Sequence, residues 1–151
     1  MSTPTNPIRL FVTHNWLEND DYSRVFEYLE APGTFYYRST GEPHAKRPLG
    51  PESQREELRR QIAPCEVVIV LPAVFRAEPE LVLFEMNFAK SADRPIVAME
   101  NFGSSEPIAR AIKDLADEIS AWNGRDLIDA LRRQARHEDT TRWDTIEFKL
   151  D

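Results

Sequence analysis

The chain alternates short apolar runs with amphipathic stretches of helical period. "IRLFVT", Ile8 to Thr13, has the length of a strand, and the polar "HNWLENDD" behind it offers a helix N-cap at Asp20 or Asp21. Tyr22 to Glu30 carries Tyr22, Val25, Phe26 and Leu29 at helical spacing, and Pro32 with Gly33 ends that pattern. "TFYYR", Thr34 to Arg38, reads as a second strand, and the Gly- and Pro-rich "STGEPHAKRPLGP" behind it as loop. Glu52 to Ile62 is a charged amphipathic helix with Leu58 and Ile62 on one face, closed by Pro64. "CEVVIVLP" is nearly continuous and β-branched, the composition of a strand buried on both faces. A helix over Ala77 to Ser91 follows, then the strand "RPIVAM", a short helix from Ala109 to Leu115, a last strand in "EISAW" and a terminal helix from Leu127 to Arg136.

Strands alternating with helices at this spacing imply βαβ crossovers, hence a parallel sheet covered on both faces. The economical architecture is an α/β, flavodoxin-like three-layer sandwich on a sheet of five strands. The 151 residues form one domain, with a core of about 8–136 and a tail of 137–151. In that tail "TIEFKL" alternates Ile146, Phe148 and Leu150 like an amphipathic strand, suited to a sheet edge or to contacts.

Charge narrows the partners. A formal net charge of -7 leaves no basic face for coating phosphates, so nucleic acid is not expected as a partner. The single cysteine, Cys65, heads an apolar run and reads as a packed thiol in a reducing compartment, which favours the cytoplasm. "MSTPTNPIR" has neither the basic nor the apolar region of a signal peptide, and the longest apolar run, Val67 to Phe75, is broken by Pro72; no membrane role is expected.

No G-x-G-x-x-G, P-loop, C-x-x-C or H-E-x-x-H occurs, so spacing assigns neither a dinucleotide cradle nor a metal site. In open α/β sheets, ligands bind outside the carboxyl ends of the strands, where the strand order reverses. Those ends should carry Thr13, His14, Asn15 and Trp16 after the first strand, Arg38 after the second, Pro72 to Glu78 after the third, and Asn101 to Gly103 after the fourth. Glu85 projects into the apolar stripe of the next helix, about two turns in, and so within reach of the same crevice.

Each of these residues also has a structural reading. Glu85 reads equally as a partly exposed edge residue or as half of an ion pair, His14 as a hydrogen-bonded loop residue, and Trp16 as a loop anchor. Arg38 reads as a solvated side chain or a partner for one of the surplus carboxylates. Trp122 and Trp143 read as packing residues, and "REELRR" as a solvated helix face.

"RLFVTHNWLENDDYSRVFEYL", "FYYRS", "LRRQIAPCEVVIVLPAVF", "LFEMNFAKSADRPIVAMENFG" and "ADEISAWNGRDLIDALRR", in that order, resemble the TIR-like domains of the Thoeris ThsB type from bacteria and archaea. The resemblance covers Ile8 to Arg133. It implies a flavodoxin-like fold and an enzyme that consumes NAD to make an ADP-ribose-derived signal, cyclic or not, in anti-phage defence. NAD or a related nucleotide is then substrate rather than cofactor, and the implied partners are further copies of the chain or an effector protein reached through the signal. The family's catalytic glutamate, in a pattern resembling W-[IV]-x-x-E-[IM], matches Glu85 in "LVLFEM"; "THNW" looks like its S-H-S-W, and Arg38 matches an arginine behind its second strand. The implied substrate contacts are thus His14, Asn15, Trp16, Arg38 and Phe75, with no metal. Where the family has Ser-x-Trp before the glutamate, this chain has Pro79, Glu80 and Leu81, which removes an aromatic wall. Two other readings stand beside this one: a non-catalytic TIR-like interaction module, and a nucleoside deoxyribosyltransferase-like enzyme.

Overall fold

The computed structural model describes residues 1–141. The sheet-like "TIEFKL" segment and Trp143 lie outside the described residues. The elements are β1 (Ile8–Val12), α1 (Asp20–Glu30), β2 (Tyr37–Ser39), α2 (Pro51–Ile62), β3 (Val67–Val70), α3 (Pro72–Ala77), α4 (Pro79–Ser91), β4 (Ile96–Met99), α5 (Arg110–Leu115), β5 (Glu118–Ser120) and α6 (Gly124–Arg136).

All strand pairings are parallel, and the order β2-β1-β3-β4-β5 makes this a flavodoxin-like sheet. β3 and β4 are buried at every residue, which is why their sequences run apolar without alternation. Helices α1 and α6 pack together on one face, and α2, α4 and α5 on the other, giving three layers. Cys65 is 2% exposed and packs into the core, where burial pushes its thiol up to about 12. Among the described residues, no helix is long and apolar enough to cross a membrane.

The structure departs from the sequence pattern at three places that bear on the site. The N-cap of α1 is Asn19, whose side chain accepts from the Asp21 N–H at 2.8 Å, so the helix begins at Asp20. β2 starts at Tyr37, not at Thr34, so Arg38 occupies the middle of the strand. The helix expected over Ala77–Ser91 is α4, which begins two residues later at Pro79; a separate short helix, α3, follows β3 directly where none was expected, and Glu78, with φ -143° and ψ 73°, breaks the chain between them.

Strand order reverses between β1 and β3, and the chain there is tied across the gap. Thr13 Oγ1 accepts from the Leu71 N–H at 3.0 Å, and the Thr13 N–H donates to the Ile69 carbonyl at 3.0 Å. The carboxyl ends of these two central strands therefore hold the β1–α1 loop and the start of α3 in one fixed frame.

Candidate active site at the carboxyl ends of β1 and β3

Asn15 and Trp16 both adopt the left-handed backbone region, with φ 48° and 57°, and the Leu17 N–H closes a turn onto the His14 carbonyl at 2.9 Å. Asn tolerates that region better than most residues; Trp does so only when its surroundings hold it there. What holds it is His14. Its Nδ1 accepts the Trp16 N–H at 2.9 Å, so Nε2 carries the proton and donates to Gln61 Oε1 at 2.8 Å. The same Gln61 oxygen accepts the Glu42 N–H at 2.9 Å, and Gln61 Nε2 donates to Glu57 at 3.0 Å. His14 is 1% exposed, and burial holds its pKa below the ordinary value of 6.5. Both ring nitrogens are thus committed, and the imidazole is a neutral brace rather than a free base.

Arg47, from the loop between β2 and α2, closes the site. Its Nη1 donates to the Asn15 carbonyl at 3.0 Å, and its Nη2 donates to both carboxylate oxygens of Glu78 at 2.9 Å. The guanidinium carbon lies 5.8 Å from the centre of the Trp16 ring. A cleft of about 420 Å3 opens beside this bridge, bordered by Arg47, Gln54, Arg55, Glu78 and Leu81. Glu85 does not line it.

Glu85 lies on α4 with Val82, Met86 and Ala89, and it is 0% exposed. Neither carboxyl oxygen has a hydrogen-bond partner among the described residues. Both structural readings of this residue therefore fail: it is not an exposed edge position, and it pairs with no described cation. Burial, reinforced by the nearby Glu78 charge, raises its pKa well above the ordinary 4.5. Asn15 is the second such group, 0% exposed with both amide atoms unpartnered. Native proteins leave few buried polar groups unsatisfied; Asn15 and the unpartnered Trp16 Nε1 on the loop behind β1, with Glu85 on α4, make this end of the sheet the candidate site.

The other residues singled out from the sequence are placed differently. Phe75 is half-buried on α3, packed against the core at the same end of the sheet. Arg38 pairs in register with Arg9, three residues short of the end of β1, and its side chain is exposed at the sheet edge. Tyr37 faces α1, where its hydroxyl donates to Glu30 at 2.8 Å, so alternation along β2 turns Arg38 away from that helix. The arginines that border the cleft are Arg47 and Arg55. Arg47 and Gln61 are site residues that the sequence reading passed over, and Glu78, expected only as the end of the run behind the third strand, is the partner of Arg47. Gln61 carried the signal that exposed Glu85, a polar residue beside Leu58 and Ile62 on an apolar helix face.

No protein-family model and no curated protein matches this chain.

Proposed function

We propose that the chain is a TIR-like NAD-consuming enzyme that cleaves the bond between nicotinamide and ribose, with Glu85 as the catalytic carboxylate, and that the resulting ADP-ribose-derived product is a signal in anti-phage defence. The observation that carries the chemical part is the wholly buried, unpartnered Glu85 on the helix behind β3. A carboxyl group in such surroundings costs several kcal/mol when ionised, so a position that retains one is a candidate for chemistry.

The raised pKa fits the reaction. Without a cation beside it, Glu85 favours its neutral form. The nicotinamide ring of NAD carries a positive charge, and bringing a cation against a buried carboxyl favours its ionised form. As the C1′–N bond breaks, the bonding pair leaves with nicotinamide and neutralises the ring, while positive charge moves onto the ribose. An ionised Glu85 opposes that charge in a dry environment, where the interaction is strongest. Water, or a nucleophile of the same molecule, then takes the ribose carbon and loses its proton. Arg47 and Arg55, which border the cleft, are cations suited to a pyrophosphate, and Trp16 offers a ring for stacking.

The test is mass spectrometry of the small molecules formed from NAD by the purified protein and by Glu85→Gln, alone and with extract of phage-infected cells. Nicotinamide release by the wild type and its loss in the variant support the reading. Release of a base from deoxynucleosides instead would make the chain a deoxyribosyltransferase-like enzyme, and no turnover under any of these conditions would favour the interaction module.

A further inference from the structure

The polar side chains that brace the β1–α1 loop are bonded to one another and leave out Asn15. His14 accepts the Trp16 N–H at Nδ1 and donates from Nε2 to Gln61, whose own amide is taken up by the Glu42 N–H and by Glu57. Thr13 Oγ1 accepts from the Leu71 N–H, and Arg47 turns to the Asn15 carbonyl and to Glu78. Asn15 is nevertheless 0% exposed, with neither Nδ2 nor Oδ1 bonded to a described residue, and Trp16 Nε1 next to it is buried without a partner as well.

We infer that the Asn15 amide is the specificity element of the Glu85 site, and that it reads a primary carboxamide carried on an aromatic ring, the nicotinamide end of NAD. This rests on the function proposed above. The unmet groups on Asn15 are N–H donors and one carbonyl acceptor, side by side. A carboxylate or phosphate offers acceptors alone and would set a negative charge against Oδ1; an ammonium offers donors alone. A primary carboxamide returns one of each, and the Trp16 ring beside it suits a flat heterocycle.

The loop is also built to hold that amide still. Asn15 and Trp16 both sit at positive φ, fixed by the His14 hydrogen bond, so little order remains to be imposed when a ligand binds. Arg47 connects the amide to the chemistry: it bonds the Asn15 carbonyl on one side and, on the other, Glu78, whose charge acts on Glu85. The adenine edge of NAD pairs a donor with an acceptor too. The link to Glu85 favours the nicotinamide end, because that carboxyl serves the bond to nicotinamide.

Calorimetric titration of the full chain carrying Glu85→Gln, which should hold NAD without consuming it, tests this with three ligands: NAD, its 3-acetylpyridine analogue, in which a methyl replaces the amide nitrogen, and its hypoxanthine analogue, in which an oxygen replaces the adenine amino group. NAD should bind at least about tenfold more tightly than the acetylpyridine analogue, which leaves Oδ1 buried and unpaired, and about as tightly as the hypoxanthine analogue. Adding Asn15→Gly should weaken NAD until it binds no better than the acetylpyridine analogue. A structural role for Asn15 would instead weaken all three ligands by one factor and keep the preference. Such a uniform loss, equal binding of NAD and the acetylpyridine analogue before Asn15 is changed, or discrimination against the hypoxanthine analogue that Asn15→Gly erases would each overturn the assignment. Discrimination as expected, with no nicotinamide released by the wild type, would keep the carboxamide site and remove the catalytic reading of Glu85; no binding of NAD would remove both.

Discussion

Arg47 and Glu78 meet in a two-pronged contact, one guanidinium nitrogen lying 2.9 Å from each carboxylate oxygen, and that contact bridges the β2–α2 loop to the break before α4. Glu78 also adds its charge to the burial that raises the pKa of Glu85. The pair therefore has two effects: it ties down the loop that covers Asn15, and it neutralises a charge that would otherwise weigh more heavily on the buried carboxyl. Both side chains are about a third exposed, which limits the bond to about 1 kcal/mol. A double-mutant cycle with Arg47→Gln and Glu78→Gln should return a coupling energy of that size, read as a melting-temperature difference of about 2–4 °C. A coupling of zero would make the contact incidental.

His14 should behave as a neutral brace. Its folded pKa lies below 6.5, so its contribution to stability is present above that pH and is lost as the pH falls through the folded value. Each unit of depression corresponds to about 1.4 kcal/mol. Nitrogen NMR of the imidazole should show the Nε2–H tautomer and a midpoint under 6.5. The loss of stability of the wild type between pH 6.5 and 5 should be steeper than that of His14→Gln, in which the titrating group is gone. A midpoint above 6.5 would mean that the Gln61 hydrogen bond and the Glu42 charge, which both favour the imidazolium, outweigh burial, and that the ring is not a neutral brace.

The fold was legible because its signals are local. The β-branched run of β3 and the 3.6-residue period of α1, α2 and α4 were enough to order layers and strands. β2 was misplaced by three residues at its start because Phe35 and Tyr36 have strand composition, yet the pairing with β1 begins only at Tyr37. The strand also runs one residue further, to Ser39, which puts Arg38 at its middle instead of its end and cost the site its assigned arginine. Arg47 was hidden for a different reason. It lies in a loop without period, and its role comes from contacts with Asn15 and Glu78, 32 and 31 residues away in sequence. Glu85 and Gln61 share the property that makes a site readable: each is a polar side chain on an apolar helix face, and both are buried to 0–1% exposure, whereas the burial of Asn15 in a polar loop had no signal in the pattern. What sequence could not supply is which of them finds a partner, as Gln61 does and the other two do not.

Asn15 lends itself to the simplest test of a site maintained against stability. Its amide is buried without partners, and its backbone sits at φ 48°, where glycine is at ease. Asn15→Gly removes an unsatisfied polar group that costs about 1–3 kcal/mol and leaves the turn intact, at the expense of a small void. The variant should melt at or above the wild-type temperature while NAD turnover falls. A marked loss of stability would show that the amide is satisfied, by an ordered water or otherwise, and is structural.

Glu85→Gln gives the prediction that separates chemistry from packing most cleanly, because the sign of its pH dependence is fixed. Glu85 is pushed above 4.5 in the folded chain and returns to ordinary values when unfolded. Over the interval between those two pKa values the native state binds the extra proton, so the group's contribution to stability is full below the unfolded value and is lost as pH rises towards the folded one. Glutamine has nearly the same shape and never ionises. The variant should therefore resemble the wild type near pH 4.5 and become progressively more stable than it towards pH 8, with a flatter profile of melting temperature against pH. Turnover should move the other way, falling by about two or more orders of magnitude at every pH, a barrier change of roughly 3 kcal/mol. If Glu85 had an ion-pair partner, the amide would instead strand that partner and lower stability at neutral pH by about 3–5 kcal/mol. Melting curves across this pH range, with nicotinamide release measured on the same two preparations, check both halves. A variant that is less stable at pH 8 than the wild type and still turns over NAD would remove Glu85 from the mechanism.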